Sequence, residues 1–207
     1  LKNDGILPLD KKKIRKIAVV GPNADSRTVL MGNYHGTSSR CTTILQGIQK
    51  EAGDEIRVFY SEGCHLYKNK VEPLAWEDDR IPEAVIAARQ SDVAIVVLGL
   101  DETIEGEEPD ESNEGQAGDK ETLRLPHCQQ RLLSAVIETG KPVITILMSG
   151  SAIDLRYADE HTNAVLQAWY PGAEGGTAVS DILFGRCSPG GKLPVTFYHD
   201  TEGLPEF

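Results

Sequence analysis

"DVAIVVLGL", residues 92–100, decides the fold. Apolar side chains run through it with only Asp92 at the start and Gly99 near the end to interrupt them. A strand with one wet face alternates apolar and polar residues, whereas a strand covered on both faces does not. Residues 92–100 are therefore expected to form a central strand with helices on both sides. Working outward, "IPEAVIAARQS" (81–91) has helical spacing and Pro82 close to its start, where a missing N–H costs nothing. "CQQRLLSAVIETG" (128–140) reads as a second helix, stopped by Gly140, and "KPVITILMSG" (141–150) as a second buried strand. Further out, "KIAVVGP" (16–22), "IRVFYSEG" (56–63) and "AVLQAWYPG" (164–172) read as strands, the last ending on Trp169 and Tyr170. "TTILQGIQKEAG" (42–53) and "AEGGTAVSDILFG" (173–185) read as helices. "GKLPVTFYHD" (191–200) is expected to be a closing, antiparallel strand. Strands alternating with helices predict an α/β fold: a three-layer α/β/α sandwich on a mostly parallel sheet of about six strands with one antiparallel strand. Residues 68–80 are expected to form a surface loop.

With 207 residues, the chain is long enough for one large core. Its net charge of −11 argues against nucleic acid and anionic membranes as partners. The cysteines, at 41, 64, 128 and 187, have neither disulfide-framework nor zinc spacing, so buried or half-buried thiols are expected. Their pattern and the lack of an N-x-S/T sequon point to a reducing, cytoplasmic setting. The chain begins at Leu1 without a signal peptide, and it is expected to be a fragment of a longer protein.

Directly after the strand at 92–100, residues 101–119 carry nine acidic side chains and no basic one. Like charges this close favour water, so a solvated loop is one reading. The position at the carboxyl end of a parallel strand, where α/β folds gather ligands, is the other. Neither G-x-G-x-x-G nor the P-loop pattern follows "GPNAD" (21–25), which argues against a nucleotide site. The nucleophile elbow G-x-S-x-G is also absent, and Ser151 reads as a helix N-cap before "AIDL". A calcium loop counted from Asp101 would need Glu at its twelfth position, which is Ser112. General acid/base chemistry fits better. Crowded carboxyl groups raise one another's pKa, and a neutral carboxylic acid can protonate a departing oxygen at neutral pH. Glu105, Glu107 and Glu108 form the densest group.

Four blocks now carry a family likeness: "LKNDGILPL" (1–9), "KIAVVGPNAD" (16–25), "VVLGLDETIEGEE" with "GDKETLRLPHCQQRLL" (96–108 and 118–133), and "VLQAWYPGAEGGTAVSDILFGRCSPGGKLPVTF" (165–197). With "MGNYHG" (31–36), they resemble the C-terminal α/β sandwich domain of glycoside hydrolase family 3 over residues 1–207. The resemblance implies a retaining β-glycosidase, of β-glucosidase or β-xylosidase type, that acts at non-reducing ends. It implies an aspartate nucleophile on an N-terminal (β/α)8 barrel and a glutamate general acid/base on the loop matching residues 101–126. Aligning "EGEE" (105–108) places that glutamate on Glu107, with Glu105 and Glu108 open because loop length varies among members. The family's Gly-Asp-Arg stands here as Gly118-Asp119-Lys120, so Asp119 and Lys120 are expected to brace the loop, with Lys holding less firmly than a forked Arg. Tyr34 and His35 are expected at the edge of the sugar site, although a strand-end turn that needs Gly32 and Gly36 accounts for the segment equally well. Glu174 is expected to cap the following helix. The implied partners are a β-linked gluco- or xylo-oligosaccharide, or an aryl glycoside, and the barrel of the parent chain. No cofactor and no metal are implied, and residues 1–207 alone are expected to be inactive. The alternatives are a carbohydrate-binding or interdomain support module and a flavodoxin-like nucleotide domain.

Overall fold

The computed structural model describes residues 1–106, 120 and 122–202. Six strands form one sheet: β1 (Lys2–Asn3), β2 (Lys16–Val20), β3 (Arg57–Ser61), β4 (Val93–Gly99), β5 (Val143–Met148) and β6 (Ala164–Gln167). Among the described residues, four helices connect consecutive strands, α1 (Ile44–Ala52), α2 (Ile81–Arg89), α3 (His127–Ile137) and α4 (Arg156–His161), and α5 (Gly175–Leu183) follows β6. The strand order is β1-β6-β5-β4-β2-β3, and every pairing is parallel except β1 with β6.

All of β4 is buried, as its unbroken apolar run requires. Its residues divide by parity between two cores. Ile95 and Val97 pack with Ile17, Ile144, Ile146 and the inner faces of α1 and α5. Ala94, Val96 and Leu98 pack with Val20, Leu147 and residues of α2 and α3, including Ala84, Leu132 and Val136. Thus period-two alternation survives in β4, but it sorts apolar residues between two layers rather than apolar from polar. Locally, α1 starts on a capping box. The Thr43 hydroxyl accepts from the Gln46 N–H, and the Gln46 side chain accepts from the Thr43 N–H. Helices α1 and α5 touch through Gly47 and Gly176, where an added Cβ would meet facing backbone oxygens at 2.0 and 1.9 Å.

Five local expectations are corrected. Residues 191–200 form no strand; the antiparallel strand is β1, which occupies the edge of β6. Strand β6 stops at Gln167, and Trp169 turns the chain with a left-handed φ of 55°. Helix α4 starts at Arg156, so Ser151 is no N-cap. Cys187 is exposed, while Cys64 and Cys128 are buried and Cys41 lies between. Arg186, beside Cys187, reaches out to Glu51 and Asp181, which keeps this stretch on the surface. Glu174 directly precedes α5, but its carboxylate accepts from the hydroxyls of Thr42 and Thr177 rather than from a helix N–H.

Candidate active site

The chain reverses its direction of strand addition between β2 and β4, and the loops leaving their carboxyl ends meet there. The buried amide of Asn23, in "GPNAD", donates to the Leu100 carbonyl at 3.0 Å, so this turn braces the two strand ends. A second brace comes from α3. The buried Gln129 side chain accepts from Gly99 N–H at 2.9 Å and donates to Gly99 O at 2.7 Å and Leu66 O at 2.5 Å. A side-chain amide that satisfies both backbone groups of one residue fixes where the chain leaves β4. The acidic stretch therefore starts from a defined point.

Its first residues turn tightly. Asp101 Oδ1 accepts from the N–H and hydroxyl of Thr103 at 2.9 and 2.6 Å, and Asp101 O accepts from the N–H groups of Ile104 and Glu105, each at 3.0 Å. Glu105 is consequently aimed at the loop that follows β5. Its carboxylate accepts from Gly150 N–H at 2.6 Å, from the Ser151 hydroxyl and from the Tyr170 hydroxyl. These donors come from the loops after β5 and β6. A third loop joins through Asn33, whose amide donates to the Glu105 carbonyl at 2.6 Å. Burial, then the adjoining Glu105 carboxylate, pushes the Tyr170 phenol well above its ordinary range, so it stays a proton donor.

Lys120 returns to the same place. Its ammonium donates to Ala152 O, burial lowers its pKa, and Glu105 opposes that shift. His35 lies beside the root of the stretch: Nε2 is 3.3 Å from Glu102 Oε2, and Nδ1 is 2.9 Å from Gly36 O. Its pKa is raised, first by the Gly36 carbonyl and next by Glu102, with desolvation opposing. Tyr34 is largely exposed and adopts a left-handed φ of 56°. The segment follows a 3-10 turn, Thr28–Leu30, rather than a strand. Gly32 has a left-handed φ of 67° against the Tyr170 ring, whereas a Cβ on Gly36 would meet nothing within 4 Å among the described residues. The earlier turn expectation thus holds at Gly32 and fails at Gly36.

The structure brings Glu105, Lys120, His35 and the root of the acidic stretch together. Glu107, Glu108 and Asp119 lie outside the described residues. Sequence reasoning missed Gly150, Ser151 and Tyr170 as partners of Glu105. The signal it had was a Ser and a Tyr just beyond two predicted parallel strands, the end where such residues converge. Among the described residues, no group of three or more His, Cys, Asp or Glu is placed to hold a metal ion.

Comparison with known proteins now gives the arrangement a context. The family model described as "Glycosyl hydrolase family 3 C-terminal domain" matches residues 1–207. A β-xylosidase of Formosa agariphila is 34% identical over 99% of this chain and 27% of its own length. A xylan 1,4-β-xylosidase of Xylanibacter ruminicola is 48% identical over 53% of this chain and 13% of its own. Among solved structures, a β-glucosidase from Erythrobacter marinus superposes with a TM-score of 0.83 at 32% identity, over 100% of this chain and 29% of that one. The chain spans about a quarter of the length of curated relatives that match nearly all of it.

Proposed function

The chain belongs to the glycosyl hydrolase family 3 C-terminal domain, and we propose from that premise that it forms part of a retaining β-glycosidase, of β-xylosidase or β-glucosidase type, and supplies its general acid/base. The proton donor is Glu107, with Glu108 as its alternate. The observation that carries this reading is the fastening of the acidic stretch at the crevice over the strand ends, through Asp101, Glu105 and Lys120. Glu105 is the weakest of the three candidates because both its oxygens already serve as acceptors within the domain. A residue that protonates a glycosidic oxygen must instead present its carboxyl group to the substrate.

In this reading the remainder of the parent chain, with a (β/α)8 barrel, carries the aspartate nucleophile and most of the sugar site. The aspartate attacks the anomeric carbon while Glu107 gives its proton to the departing oxygen, with the two carboxyl groups about 5–5.5 Å apart. Glu107, now a carboxylate, then takes a proton from the water that opens the glycosyl-enzyme. Tyr34 and His35 line the edge of the sugar site, and Asp119 and Lys120 brace the loop. The substrate is a β-linked gluco- or xylo-oligosaccharide, or an aryl β-glycoside.

Glu107→Gln in the full-length protein tests the assignment. A lost general acid lowers kcat on an unactivated β-glycoside by about 10²–10⁴-fold. An unchanged rate in both Glu107→Gln and Glu108→Gln would instead make this a support domain.

A further inference from the structure

The ends of the acidic excursion are tied to one place. Glu105, just before residues 106–119, is bound by Gly150 and Ser151; Lys120, just after them, is bound by the carbonyl of Ala152. Three consecutive residues of the loop after β5 therefore hold both stems. Tyr170, from the loop after β6, adds its hydroxyl to Glu105, and Asn33, from the loop after β2, holds the Glu105 carbonyl.

Each partner is itself constrained. The Ser149 hydroxyl donates to Ser151 O at 2.9 Å, and the Gln167 amide donates to the Ser149 hydroxyl at 3.1 Å, which ties the β5 loop to the end of β6. The Tyr170 ring lies against both Gly32 and Gly150: a Cβ on either would come within 2.6 or 2.9 Å of a ring carbon. Both glycines leave the ring room at these close approaches, and its hydroxyl reaches Glu105 from there. A carboxylate with charge-assisted bonds from a backbone N–H and two hydroxyls is a rigid fixture rather than a mobile acid.

We infer that Glu105 is a positioning residue for the proton donor: with Ser151 and Tyr170 it forms a clasp that sets where the acid/base two residues further on meets the substrate. The inference rests on the proposed acid/base role of the acidic stretch and gives Glu105 a purpose apart from proton transfer. Such a clasp acts only on steps that need the proton. An aryl glycoside with a very weakly basic phenol departs without one, whereas a phenyl or alkyl glycoside does not. Misplacement by about 1 Å can cost about 10²-fold.

The test measures kcat/KM of the full-length protein on phenyl and 2,4-dinitrophenyl β-glycosides for Glu105→Gln, Tyr170→Phe, Glu107→Gln and Glu108→Gln. Glu105→Gln replaces an acceptor oxygen with an NH2 group that faces existing donors. The expected result is a 10- to 100-fold loss on the phenyl glycoside with less than threefold change on the dinitrophenyl glycoside, and a smaller loss of the same selectivity in Tyr170→Phe. Tyr170→Phe, which keeps the ring packing, decides the matter if Glu105→Gln does not fold. Equal losses on both substrates, or none on either, overturn the clasp. If Glu107→Gln and Glu108→Gln both lack leaving-group dependence, the underlying acid/base assignment fails. If Glu107→Gln shows it and the clasp variants do not, only the positioning role fails.

Discussion

Gly32 and Gly36 bracket the same short segment, yet the structure assigns them opposite sensitivities. Gly32 has a φ of 67°, and a Cβ there would stand 2.6 Å from Tyr170 Cδ2, inside the 3.0 Å limit that real Cβ atoms keep. Among the described residues, Gly36 has no heavy atom within 4 Å of its would-be Cβ, and it has no left-handed φ. For Gly32→Ala, a left-handed backbone costs roughly 1–2 kcal/mol. Overpacking against the ring adds about 1–3 kcal/mol, because the hydroxyl of Tyr170 is tied to Glu105. The sum is about 3 kcal/mol of stability. In urea, with a slope of about 2–3 kcal/mol per M for a chain of this size, the midpoint falls by about 1 M. Gly36→Ala removes freedom only from the unfolded chain and should be neutral or stabilising by up to about 1 kcal/mol. Urea unfolding followed by far-UV circular dichroism on both variants checks the pair. A Gly32→Ala midpoint within 0.2 M of the parent, an order-of-magnitude floor for these shifts, refutes the argument. So does a Gly36→Ala loss as large as that of Gly32→Ala.

Three other outcomes follow from the same structure. Gly176→Ala drives a Cβ to 1.9 Å from Thr43 O, a backbone atom, and α1 and α5 must part; a loss of about 2–4 kcal/mol is expected in the same urea assay, a backbone obstacle being worse than a side chain. Thr43→Ala removes the hydroxyl of the α1 capping box and should cost about 0.5–2 kcal/mol, whereas Thr43→Ser should retain most of it. The raised pKa of His35 means that the fold favours its charged form. That contribution is complete below the unfolded value of about 6.5 and is lost as pH rises through the folded one. NMR titration should place the His35 midpoint above 6.5, with Glu102→Gln moving it down.

The sheet was legible where burial writes directly into composition. β4 and β5 are apolar but for Thr145 because both of their faces are covered, and α1 declared itself through apolar residues at helical spacing. β1 was not legible: two residues, Lys2 and Asn3, pair with β6, and no periodicity fits in so short a strand. The same pairing explains the error at residues 191–200. "VTFYH" has strand-forming side chains, but β1 holds the edge of β6, and Phe197 instead packs edge-on against Trp169. The β6 end was misjudged because Trp169 and Tyr170 have high strand propensity, whereas Trp169 turns the chain with a left-handed φ. At the site, the location of the acidic stretch followed from its place after β4. The commitment of Glu105 to Ser151 and Tyr170 did not, since those residues lie 46 and 65 positions away and only the parallel sheet brings them together.

The general acid/base role of the acidic stretch is tested most directly by Glu107→Ala in the full-length protein, assayed on a 2,4-dinitrophenyl β-xyloside or β-glucoside with and without azide. Without the carboxyl group the activated sugar still transfers to the aspartate, but water attacks the glycosyl-enzyme slowly because no base assists it. Azide needs no base, so turnover should rise with azide and the product should be a β-glycosyl azide. Turnover that is indifferent to azide in this variant and in Glu108→Ala, with hydrolysis products only, would contradict the account.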